Sequence, residues 1–63
     1  MSMQEALEPF VGKKINLLMA GFVSSMPGQL VEVCFDWIVL KTTHSDTHFF
    51  DITKVIAFYP DKE

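Results

Sequence analysis

The chain has 63 residues, a formal net charge of −3, 49% hydrophobic and 21% charged residues, one cysteine and no arginine. Such a length predicts a single domain spanning residues 1–63, with little chain left over for an enzyme's active site. The lone Cys34 excludes an intrachain disulfide, and no apolar run approaches the roughly 20 residues of a membrane-spanning helix.

Ser2 and Glu5 stand at the S-x-x-E spacing of a capping box. They predict a short helix over residues 3–8, stopped by Pro9, with Leu7 and Phe10 closing one end of the molecule. The start MSMQEALEPF lacks the basic and apolar segments of a signal peptide, so a cytoplasmic protein is expected. Gly12 frees the chain to turn into a first strand over residues 13–19. There Ile15, Leu17 and Met19 fall on one face, and Lys14, Asn16 and Leu18 on the other. Ser24, Ser25, Pro27 and Gly28 read as a turn, with Phe22 and Val23 either extending the first strand or projecting from its loop. A second strand is expected over residues 28–35, where Val31, Val33 and Phe35 alternate. Asp36 and Trp37 form a tight bend in which the Asp36 side chain bonds backbone amides. A third strand follows over 38–41, a polar hairpin loop over 42–47 and a fourth strand over 49–52. A turn over 51–54, short enough for one turn of 3-10 helix, leads to a fifth strand over 55–59. Pro60 ends the pairing because it cannot donate. The expected division is helix and lead-in over 1–11, a small all-β barrel of five strands over 12–60, and a tail over 61–63.

Size and composition together predict self-association. A domain near 60 residues buries only about 60% of the surface its unfolded chain exposes, and strand edges add unpaired backbone groups. Assembly into a closed homo-oligomer answers both. Cys34 reads as a small core or interface residue rather than a nucleophile. The acidic balance and the absence of arginine weaken a nucleic-acid reading, because polyanion binding rests on clustered Lys and Arg and bidentate phosphate recognition favours arginine. An oligomer would still gather Lys13, Lys14 or Lys54 into a local basic patch.

The order of elements, with Gly28-Gln29-Leu30, Phe35-Asp36, Ile38-Val39-Leu40 and Ile52-Thr53-Lys54-Val55-Ile56, resembles the Sm-like group of SH3-like barrels. Within it the chain resembles the bacterial Sm-like RNA chaperone. It is closer to small Sm-like proteins of Bacillus-type bacteria and their phages, which carry a similar G-x-L-V-x-V-x-x-D-x-I-V-L run, matched here from Gly28 to Leu40. The resemblance implies a five-stranded barrel with a short N-terminal helix, and assembly by pairing the fourth strand of one subunit with the fifth of the next. The chain departs from the RNA chaperone at Trp37, where that family places a polar, base-contacting residue. It departs again at His48-Phe49-Phe50-Asp51, where the family places basic or histidine residues.

No nucleophile elbow, glycine-rich phosphate loop or Cys-His pair is evident, so neither catalytic residues nor a cofactor is expected. His44 and His48 flank Asp46, but such a pair along a strand is separated by about 13 Å and supplies too few ligands for zinc; no metal site is predicted. The surplus of aromatics is the stronger signal. Phe49 and Phe50 are neighbours in a strand and point to opposite faces, as do Phe58 and Tyr59, so one of each pair must leave its own core. The outward members either pack on a neighbouring subunit or line a pocket that stacks a flat ligand, an interaction of roughly 1–3 kcal/mol per base that needs no phosphate contact. The candidate ligand-binding residues are therefore Trp37, His48, Phe49, Phe50, Lys54 and Tyr59. The function expected is a non-enzymatic, homo-oligomeric module that binds or sequesters a small nucleotide-like ligand at subunit interfaces, of bacterial or phage type. An RNA-binding Sm-like ring and a structural protein-interaction module remain the alternatives.

Overall fold

The computed structural model describes residues 2–42, 44 and 46–61. Its first element, α1 (Met3–Leu7), is little more than one turn, and such a helix depends on its caps and its packing. Both are present. Glu5 N–H donates to Ser2 Oγ at 3.2 Å while Ser2 N–H donates to Glu5 Oε1 at 2.9 Å, and Leu7 is sealed in the core. Pro9 does not break the chain away. It sits in the 3-10 turn Glu8–Phe10 that continues the helix, where its missing N–H has no bond to lose. Phe10 then packs edge-on against Phe58, with ring centroids 5.4 Å apart.

Five antiparallel strands form one sheet: β1 (Lys14–Met19), β2 (Met26–Val33), β3 (Trp37–Lys41), β4 (Thr47–Asp51) and β5 (Val55–Pro60). The order across the sheet is β4-β3-β2-β1-β5. The last strand thus returns to pair with the first, while β4 and β5 remain as the two edges. The all-β architecture with a short N-terminal helix is the one expected from the sequence. The expected turn over 51–54 is a 3-10 turn at Ile52–Lys54, with Asp51 as its N-cap.

One face of the sheet is dry. Ile15, Leu17, Leu30, Ile38 and Leu40 are completely buried there, and the pairs Leu30↔Leu40 and Ile38↔Phe50 show how register delivers them to the same side. Ile52 and Val55, at either end of the 3-10 turn, complete this cluster. Val39 is also buried but stands apart from it, because its neighbours Ile38 and Leu40 take the inner face and leave it on the outer one.

Pro60 does not end the pairing as expected: it lies inside β5 opposite Ile15, and Asp61 N–H bonds Lys14 O beyond it. Two further expectations, both about β2, are corrected. The turn expected at Ser24–Gly28 lies earlier: Gly21 takes a positive φ of 86°, and Pro27 and Gly28 lie inside β2. Leu30 N–H bonds Lys13 O, just before β1. Alternation therefore aims the Pro27 nitrogen toward β3, which ends opposite Gln29 at Lys41, so no ladder bond is lost. Gly28 serves close packing, since a Cβ there would stand 2.8 Å from Leu40 Cγ and 2.9 Å from Lys41 O. The second correction concerns Val31, Val33 and Phe35. The β2–β3 register shifts between Leu30 and Glu32. A bulge of this kind reverses the parity of facing, so Leu30 and Val33 face inward while Val31 is 45% exposed; Phe35 lies past the end of β2, in the bend before β3, and is 81% exposed. The Asp36 bend holds through a backbone group, its carbonyl accepting from Ile52 N–H at 3.0 Å; the side-chain bonds expected of it are made by Asp51 instead.

Candidate functional site

The outer face of β3 and β4 carries the aromatic end of the site. Trp37 pairs with Asp51 and Val39 with Phe49, so Trp37 and Phe49 are diagonal neighbours on one face, within reach of each other's rings. They are 46% and 69% exposed. With Asp36, Phe50 and Asp51 they line an open concavity of about 500 Å³. Its walls are aromatic and its rim is acidic. The Asp51 carboxylate accepts from Thr53 Oγ1 at 2.7 Å and from Thr53 N–H at 2.9 Å. The Thr53 hydroxyl first, then its amide, and more weakly the charge of Lys54 hold this carboxyl below its ordinary value.

The expected division of Phe49 and Phe50 between two faces is observed. Phe50 turns toward the core and is only partly buried. His48, two residues before it, shares that face and stacks on it, with ring centroids 6.0 Å apart and planes inclined by 27°. Phe58 and Tyr59 divide in the same way: Phe58 packs on the core and Tyr59 is 53% exposed. The Tyr59 hydroxyl lies 3.2 Å from Ser25 Oγ and shares a hydrogen bond with it.

The candidate residues therefore do not form one cluster within a chain. Trp37, Phe49 and Phe50 come together, with His48 beside Phe50 on the other face. Tyr59 lies on β5 at the opposite end of the strand order, and Lys54 ends the 3-10 turn that leads into that strand. The Lys54 carbonyl is engaged by Ala20 N–H at 2.8 Å.

Sequence reasoning missed a second group. Lys14 pairs with Gln29, and Gln29 with Lys41, so these residues form one row across β1, β2 and β3 on the outer face. With Lys13 they border two grooves of about 600 and 390 Å³ that share Lys14, Gln29 and Asp61. Gln29 Nε2 donates to Gly12 O at 3.0 Å, fixing the floor. The only signal in the sequence was the outward parity of Lys14; the rest needs the register. Within one chain, Lys14 borders one groove with Lys13 and the adjoining one with Lys41, beside the basic patch expected of an oligomer.

Cys34, in the β2–β3 hairpin, is a half-buried free thiol. Burial first, and then a 3.4 Å bond to Glu32 Oε2 and that carboxylate's charge, push its pKa up, which keeps it from the thiolate form that reacts. Among the described residues no group of three or more His, Cys, Asp or Glu side chains is placed to hold a metal ion, and no helix is long and apolar enough to cross a membrane. His44 lies exposed in the β3–β4 loop, whose Thr43 and Ser45 lie outside the described residues, as do Met1, Lys62 and Glu63. The fold and site define a small all-β protein with two open sheet edges and an aromatic concavity. Compared with protein-family models, curated proteins and solved structures, the chain matches none.

Proposed function

We propose that this protein is a non-enzymatic binding module that assembles with copies of itself through β4 and β5 and holds a flat, nucleotide-like ligand on its aromatic surface near the subunit boundary. The observation that carries this reading is that both edge strands carry exposed apolar side chains. Phe49 on β4 is 69% exposed, and Ile56 and Tyr59 on β5 are 60% and 53% exposed. These are the two strands that have no strand on their outer side among the described residues, and an exposed apolar edge is a template for strand pairing.

Because the two edges differ, pairing β4 of one copy with β5 of the next is head-to-tail, and a constant rotation closes it into a ring. The resemblance to Sm-like proteins supports the same mode. In such an assembly the strand bearing His48, Phe49 and Phe50 would meet the one bearing Tyr59, preceded by Lys54, and the scattered candidates would converge. Trp37 and Phe49 supply the stacking platform, and the raised Cys34 pKa fits binding better than nucleophilic chemistry.

Native mass spectrometry of protein purified gently from its own host tests this reading. The expected result is an oligomer carrying a discrete, nucleotide-sized extra mass. A bare oligomer that holds oligo-U in a salt-dependent manner would replace this reading with the RNA-binding ring. A bare oligomer that binds neither nucleotides nor RNA would replace it with the structural interaction module, and a monomer would remove the assembly altogether.

A further inference from the structure

We infer that the row Lys41–Gln29–Lys14, with Lys13 beside it, holds the phosphate end of that ligand, so that one outer face carries both halves of a nucleoside-phosphate site. The inference rests on the binding function proposed above and adds the charge-bearing half, its location and its polarity.

Neighbouring strands lie about 4.8 Å apart. Lys14 and Lys41, in register on either side of Gln29, are therefore about two strand spacings apart, a span that one phosphate between two long lysine side chains can bridge. Three of the five lysines, Lys13, Lys14 and Lys41, border the two joined grooves. On a chain of net charge −3, they make a local field opposite in sign to that of the whole molecule.

The spacing to the aromatic end fits one small ligand. Phe49 stands opposite Val39, and Val39 and Lys41 share a face of β3. Lys41 is thus one two-residue step, about 6.8 Å along the strand, from the row of Phe49, a gap that a ribose and the reach of a lysine side chain together span between a base and its phosphate. A base stacked on Phe49 and Trp37 would thus present its phosphate to Lys41.

Charge fixes the direction of binding. Asp36 and Asp51 rim the aromatic concavity. These carboxylates repel a phosphate but accept hydrogen bonds from the N–H groups on the edge of a base, as acidic side chains do elsewhere. Guanine, with adjacent ring N–H and amino donors, suits such a rim. At the other end stands the acidic Asp61, whose backbone N–H bonds Lys14 O at 3.0 Å and which borders both grooves.

Trp37 is the only tryptophan, so its fluorescence reports on the aromatic end. Titration with GMP and with guanosine at low salt is carried out on the full chain and on Lys41→Ala and Asp61→Asn. Both substituted side chains are exposed and neither belongs to the core. The expected result is that Lys41→Ala weakens GMP roughly tenfold, the scale of a hydrogen bond to a charged group, and leaves guanosine unchanged, while Asp61→Asn tightens GMP. If GMP binds all three proteins equally, the ligand site stands and its phosphate end lies elsewhere, which overturns the inference alone. If neither GMP nor guanosine alters the Trp37 signal of the unaltered protein, the binding function and the inference fail together.

Discussion

β1 and β4 are similar in length and opposite in use. β1 has neighbours on both sides and buries Ile15, Leu17 and Met19 on one face. β4 has a neighbour on one side only, and of its residues Phe50 alone is as much as half-buried. The same apolar residue types hold the molecule together in one strand and stand available to something else in the other. A domain this small separates the two uses by strand position, with stability at the centre of the sheet and contact at its edges.

Substitution should expose that contrast. Leu17→Ala removes a fully buried side chain, and a loss of about 2–5 kcal/mol is expected in urea unfolding, enough to unfold a domain of this size. Gly28→Ala places a methyl group against Leu40 and Lys41, and overpacking of this kind costs about 1–3 kcal/mol; wild-type stability here would show that β2 and β3 do not approach so closely. Phe49→Lys, on the edge, should change the stability of the single chain by no more than about 0.5 kcal/mol. Its expected effect is on assembly, moving the native mass toward the monomer, and an unchanged oligomer would rule β4 out as a pairing edge.

The smallest effect concerns acid. The Asp51 carboxyl is held low in the folded chain, so its contribution is complete above its unfolded pKa of about 3.9 and is lost as the pH falls through the folded value. Asp51→Asn should flatten the decline of stability below about pH 4. A decline of the same steepness in both proteins would show that the Thr53 bonds to Asp51 do not couple to folding.

Much of the fold is written locally. The Ser2–Glu5 cap, the parity of β1 and the 3-10 turn before β5 each depend on residues close in sequence. Local reading failed where the cause was distant. Pro27 and Gly28 carry turn chemistry, yet they lie in a strand because β3 ends before Pro27 and because Leu40 needs the space. Val31 matched an alternation that a bulge cancels, and Phe35 lies beyond the end of β2. The site divides in the same way: the opposed facing of Phe49 and Phe50 follows from strand geometry alone, whereas the alignment of Lys14, Gln29 and Lys41 requires the pairing of three strands. Lys54, the basic residue that stood out in the sequence, lies apart from that row.

The partnership of β1 with β5 bears on how the chain is made. Leu17 pairs with Met26 on one side and with Phe58 on the other. The first strand to leave the ribosome thus waits for the last before its second ladder forms. Pairings that span nearly the whole chain are slow to close, and until then an apolar strand stands with an open flank, the condition that favours aggregation. The cell therefore meets this protein first as an unfinished sheet, and its yield should depend on synthesis rate and temperature more than its small size suggests.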